Sequence, residues 1–279
     1  MADSIRNHKV LRYNQGEITE EQDLLVREEP LEIRLGYGRG EFREQKSLSV
    51  TMRTPGDDFN LAIGFLFTEG IIEDYTSIES IHYCETVKSG EKGNVLRVEL
   101  KEEVNIEWNK ISRNFYTTSS CGVCGKASIE AVTVQSRPIP KDHIEIAPEI
   151  LLKISEELSG KQTVFKYTGA LHAAALYSLE GDLHLIAEDI GRHNALDKLI
   201  GKLVTEQQVP LRKSILLLSG RAGFELIQKS ARAGIPIIAS VGAPSTLSAE
   251  LAATLNITLV GFLKDQRFNI YTGELRVSV

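Results

Sequence analysis

Ser214-Ile215-Leu216-Leu217-Leu218 is a continuous apolar run that leads directly into Ser219-Gly220-Arg221-Ala222-Gly223. A short run without polar alternation is what a strand needs when both of its faces are covered. The pattern downstream predicts a helix over 224–233, a strand over 235–240, a helix over 245–255 and a strand over 257–262. Strand, helix, strand, helix, strand with short links predicts a parallel sheet with right-handed crossovers. Open sheets of this kind bind ligands beyond the carboxyl ends of their strands. The loops expected side by side at that edge are 219–223, 241–246 and Lys264-Asp265-Gln266-Arg267.

Upstream, Pro148 opens a helix that buries Ile150, Leu151, Ile154 and Leu158 before Gly160. Residues 170–177 and 183–187 read as a strand pair turning at Glu180-Gly181-Asp182, and Asn194 is positioned to cap the helix that follows. The first third reads mostly as strands. Leu48, Val50 and Met52 alternate along 47–53 and are expected on one face, as are Leu31, Ile33 and Leu35, and Leu96, Val98 and Leu100. Pro55-Gly56-Asp57-Asp58 makes a turn into a largely apolar helix ended by Gly70. The polar, poorly periodic stretch 101–120 predicts a boundary between a strand-rich subdomain, 1–115, and a larger α/β subdomain, 116–279.

The chain has 279 residues, 42% hydrophobic and 25% charged, with a formal net charge of −6. That composition fits a globular protein and argues against a general nucleic-acid binder, which needs a basic face. The polar start lacks the apolar core of a signal peptide, and the longest apolar stretch, 61–67, is far too short to span a membrane. Three cysteines, two of them three positions apart, do not make a secreted disulfide framework. A cytoplasmic protein is expected.

Three segments can carry chemistry. The first is Ser119-Ser120-Cys121-Gly122-Val123-Cys124-Gly125-Lys126, where glycines flank both cysteines. A thiolate is favoured by a nearby cation such as Lys126, and in a Cys-x-x-Cys pair one sulfur can hold a persulfide while the other resolves it. Spacing alone leaves other uses open: a zinc site completed by His82 and Cys84, a redox pair, or a purely structural pair. The second is Glu188-Asp189-Ile190-Gly191-Arg192-His193-Asn194, which puts Arg192 and His193 where a helix amino terminus already favours anions. A capped helix with a solvated turn is the plain alternative, and His172 on the preceding strand reads as a core histidine. The third is the 219–223 loop, whose glycines and Arg221 suit a phosphate as readily as a tight turn.

Taken in order, 118–125, 168–174, 188–195, 218–221 and 261–272 resemble the formate dehydrogenase accessory sulfurtransferase family, FdhD. The resemblance covers nearly the whole chain. It implies a larger subdomain similar to the cytidine deaminase-like three-layer α/β/α fold with a partly parallel sheet, an α/β (overall α+β) architecture, and, separately, a homodimer. It implies that a cysteine desulfurase passes persulfide sulfur to Cys121 with help from Cys124. The sulfur then goes to the molybdenum of a bis-molybdopterin guanine dinucleotide cofactor destined for formate dehydrogenase. The cofactor stretch of that family matches Phe262-Leu263-Lys264-Asp265-Gln266-Arg267, and no structural metal is expected. A cofactor chaperone without sulfur chemistry would carry the same binding loops. A zinc deaminase is disfavoured, because Ala173-Ala174 follow His172 and Ser120 stands where a proline would precede the cysteines.

Overall fold

A computed structural model describes residues 4–106, 108, 138–141, 143–264 and 266–278. Strands β1 (Ile5–Asn14) and β2 (Glu17–Val26) form an antiparallel hairpin. Strands β3 (Glu29–Tyr37), β4 (Glu44–Arg53), β5 (Ile78–Tyr83) and β6 (Val95–Leu100) form a four-stranded sheet in the order β4-β3-β6-β5. Helix α1 (Asp58–Thr68) connects its edge strands. As expected, Leu31, Ile33, Leu35, Leu96, Val98 and Leu100 are buried.

β4 departs from the expected alternation. Ile33 pairs with Ser49 but Arg34 pairs with Ser47, so Leu48 is an extra residue in the ladder. Such a bulge reverses which side chains face inward. Leu48 is therefore buried at 8% exposure, whereas Val50 and Met52 lie outside at 61% and 47%.

The remaining elements are α2 (Pro148–Lys161), α3 (Thr163–Thr168), β7 (His172–Ser178), β8 (Leu183–Asp189), α4 (Arg192–Thr205), β9 (Ser214–Leu218), α5 (Phe224–Arg232), β10 (Ile237–Ser240), α6 (Thr246–Thr254), β11 (Thr258–Lys264) and β12 (Arg267–Thr272). They build a six-stranded sheet, β12-β11-β10-β9-β7-β8. β9, β10 and β11 run parallel as the sequence predicts, and the outer pairs are antiparallel. The apolar run of β9 divides between two cores. Leu216 and Leu218 pack with α4, α5 and α6, while Ile215 and Leu217 pack with Leu151, Ile154 and Leu158 of α2. The result is a three-layer α/β/α arrangement, and it explains why β9 has no polar alternation.

The two sheets are joined where α1 crosses α4, and the crossing has no room for side chains. A Cβ on Gly64 would lie 1.8 Å from the Asp197 carbonyl oxygen, and one on Gly201 would lie 1.8 Å from that of Asn60. Gly64→Ala or Gly201→Ala must push two backbones apart, and we expect a loss of at least about 2 kcal/mol in urea unfolding. Gly160→Ala in α2 meets nothing within 4 Å, so it should instead gain about 0.5–1 kcal/mol. Equal behaviour of the two substitutions would contradict the close crossing.

Candidate functional site

The loops at the carboxyl edge of the parallel strands are stitched together by backbone hydrogen bonds. Gly242 N–H donates to the Gly220 carbonyl (3.0 Å), and Phe262 N–H donates to the Gly242 carbonyl (3.1 Å). The 219–223 loop is held to β7 in both directions: Ser219 N–H donates to the Ala173 carbonyl, and Ala173 N–H donates to Ser219 Oγ (2.8 Å). Gly220 lies against the His172 ring, where an added Cβ would come within 3.0 Å of Nδ1. The third loop is placed differently from expectation. β11 continues past the edge, so Lys264 and Arg267 pair at the tip of a hairpin beyond it. That hairpin leans on α2, through Ser155 Oγ donating to the Leu263 carbonyl and Gln266 bonding Glu156.

A cleft of about 510 Å³ opens between this edge and the α2–α3 pair. Its lining includes Gln162 and Phe165 from the helices, His172, Ile190, and Ser219 and Val241 from the edge loops. Burial first, and then the charges of Arg192, His193 and Arg221, hold the His172 pKa below its ordinary value. The imidazole is thus neutral near pH 7 in a cationic setting.

The turn that presents Arg192 is fixed by Asp189, which is fully buried. Its Oδ1 accepts from Gly191 N–H (2.8 Å) and Asn194 Nδ2 (3.0 Å), and its Oδ2 from Thr54 N–H (3.1 Å) and Lys198 Nζ (2.7 Å). Ile190 N–H donates to Thr54 Oγ1. Glu188 accepts from the N–H groups of Val164 and Phe165 at the start of α3. Both acids of this segment therefore act structurally. The helix begins at Arg192 with Gly191 at its cap. Asn194 is not the cap expected from sequence: it is buried, and it spans β4 and Asp189 by donating to the Met52 carbonyl and to Asp189.

The expected site residues separate into groups. The charges of Arg192 and Arg221 both act on His172, and Arg192 Nε is buried with no hydrogen-bond partner among the described residues. His193 turns away: its Nε2 lies 3.0 Å from Glu225 Oε2, and it lines a smaller cavity of about 210 Å³ beside Asp197 and Lys229. Phe262 is 40% exposed with a left-handed φ of 55°. Leu263 is buried in the second core, so its side chain packs instead of facing a ligand. Lys264, Gln266 and Arg267 are exposed at the hairpin tip. Cys121, Cys124 and Asp265 lie outside the described residues. No group of three or more metal-ligating side chains converges among the described residues, and no described helix is long and apolar enough to cross a membrane.

Gln162 and Phe165 escaped the sequence reading. One signal was available for the first. Leu151, Ile154, Leu158 and Gln162 continue one helical stripe, so a polar residue stands where the pattern calls for an apolar one.

The fold and this site define a three-layer α/β protein with a cleft at its sheet edge. The FdhD/NarQ family model matches residues 26–278. Proteins named sulfur carrier protein FdhD are similar over nearly the full length. That of Streptomyces coelicolor is 46% identical over 97% of this chain and 95% of its own, and that of Mycobacterium tuberculosis is 42% identical over 98% of each. That of Saccharolobus solfataricus is 37% identical over 98% of each chain. A crystal structure of a putative formate dehydrogenase accessory protein from Desulfotalea psychrophila has the same fold, with a TM-score of 0.73 and 23% identity over 99% of this chain and 100% of that one. The chain belongs to the FdhD/NarQ family.

The lowered pKa of His172 has a consequence for stability. As pH falls, the unfolded chain takes up this proton before the folded one does. Stability linked to the group is therefore present above the unfolded value, about 6.5, and is lost as pH drops below it. His172→Gln should flatten the decline in urea midpoint below about pH 6.5. Parallel declines in the two proteins would show that the histidine titrates normally.

Proposed function

We propose that this protein is a cytoplasmic, homodimeric sulfur carrier that receives persulfide sulfur on Cys121 and delivers it to a molybdenum cofactor for formate dehydrogenase. Cys121-Gly122-Val123-Cys124, standing in a chain of the FdhD/NarQ family, is the observation that carries this reading. In the first step the Cys121 thiolate attacks the outer sulfur of a cysteine desulfurase persulfide, and the desulfurase thiolate leaves. In the second, the Cys124 thiolate attacks Cys121 Sγ, forming a disulfide and expelling hydrosulfide. Taken with one proton, that hydrosulfide replaces an oxo group on molybdenum and water departs. A thiol reductant then restores the pair.

The cargo is bis-molybdopterin guanine dinucleotide, an anionic substrate with two diphosphates. The cleft supports this reading because the charges of Arg192 and Arg221 act on His172 in its wall. Lys264 and Arg267, at the hairpin tip, extend the positive charge, and Phe262 offers an exposed ring nearby. Asp265 is assigned to the guanine edge.

Incubation with a cysteine desulfurase and cysteine should add the mass of about one sulfur atom to the wild type, removable by reductant, and none to Cys121→Ala. Stoichiometric zinc with no added sulfur would overturn the carrier reading. Arg221→Ala and Arg267→Ala should each weaken binding of a guanine nucleotide by roughly tenfold, the usual effect of losing a charge-assisted contact. Calorimetry showing unchanged affinity would remove that arginine from the site.

A further inference from the structure

Gln162 sits at the junction of α2 and α3 with its backbone fully used. Its N–H donates to the Leu158 carbonyl, and its own carbonyl accepts from Lys166 N–H. The side chain is different. The residue is only 5% exposed, yet its amide nitrogen is buried with no hydrogen-bond partner among the described residues. An unpaired buried amide is unfavourable, and a leucine would continue the apolar stripe of α2 without that cost. No described residue pairs with this amide nitrogen, and the residue lines the cleft.

The neighbouring walls indicate what the amide would meet. Leu158, Phe165, Leu171 and Ile190 give this cleft apolar surface. At the sheet edge the charges of Arg192 and Arg221 act on His172 of the cleft wall, and the buried Nε of Arg192 is a second donor with no partner among the described residues. The helix pair therefore offers apolar contact and one carboxamide, and positive charge reaches the opposite wall at His172. A flat ring joined to a diphosphate matches that division. A carboxamide presents a donor and an acceptor side by side, and its planar complement is a ring carbonyl next to a ring N–H.

We propose that Gln162 is a specificity-determining residue that pairs through its carboxamide with the lactam edge of a fused heteroaromatic ring, while the attached diphosphate lies against Arg192 and Arg221. This rests on the cargo proposed above, which contains two rings with such an edge, guanine and pterin. The shared chemistry is the lactam; the experiment separates the sources.

Wild type and Gln162→Leu, both as the full chain, are titrated by calorimetry with GDP, a 6-hydroxymethylpterin phosphate and inorganic pyrophosphate. Thermal midpoints are measured without ligand. The expected result is at least about tenfold weaker binding of the ring that occupies the slot, the effect of losing a bidentate base contact. Pyrophosphate affinity stays the same, and the ligand-free midpoint is unchanged or higher, because an unpaired polar group has been removed. Loss confined to GDP assigns the slot to guanine, and loss confined to the pterin assigns it to pterin. Loss for both means that the slot takes either lactam.

Unchanged affinity for both rings overturns the role of Gln162, as does an equal loss with pyrophosphate. A lower thermal midpoint with binding intact makes the residue structural and overturns it too. Wild type that binds neither ring overturns the cargo reading itself, and this inference with it. Gln162→Met, which keeps the side-chain length, carries the same test if the leucine variant does not fold.

Discussion

The contact between the backbones of α1 and α4 at Gly64 and Gly201 sets how the four-stranded sheet sits against the six-stranded one. Two helices this close leave no space for water between them, so polar groups on either side must find protein partners. They do so in two buried clusters. In one, Lys229 Nζ donates to Asp197 and Thr68 Oγ1, joining α5, α4 and α1. Burial works against the lysine charge, but Asp197 and Glu69 outweigh it and raise the Lys229 pKa. In the other, Lys198 Nζ donates to the Thr54 carbonyl and pairs with Asp189. Removing one member of such a cluster strands a buried charge, which typically costs about 3–5 kcal/mol. The clusters therefore act more as a lock on one docking geometry than as a source of net stability.

That lock reaches the cleft through a few bonds. Asp189 and Thr54 tie the 189–191 turn to the end of β4, and Ile190 of the same turn forms part of the cleft wall. The strand-rich sheet is thus a support for the binding edge. The same bonds bear on the charge around the cleft in a chain of net charge −6. Glu188 is occupied by the α3 amides, Asp189 by its four donors, and Glu225 by His193. Among the described residues, Arg192 and Arg221 form no ion pair, so their charge acts on His172 in the cleft wall without a neutralising partner.

How much of this was legible in the sequence depends on how many faces each element buries. β9 to β11 are covered on both sides, and their apolar runs gave order and direction correctly. β4 buries one side, so its reading depended on strict alternation, and a single extra residue at Leu48 reversed it. No local pattern announces a bulge of that kind. The β1–β2 hairpin exposes most of both faces, leaving Leu11, Tyr13 and Ile18 outside, and periodicity has little to report there. Asn194 was misread for a related reason. A residue that suits a helix cap also suits a buried bridge, and only the partner strand distinguishes the two.

The site divides along the same line. The edge loops were legible because parallel topology fixes where strand ends gather, and the backbone bonds among 220, 242 and 262 follow from it. The α2–α3 wall was not, since its helices reach the cleft through tertiary packing that sequence order does not encode. Yet the most informative group on that wall, the Gln162 amide, breaks the apolar stripe of its own helix. A polar residue on a buried stripe is costly in every state of the protein except one in which something pairs with it. Among the described residues nothing pairs with this amide nitrogen, and a ligand in the cleft is the partner that we propose.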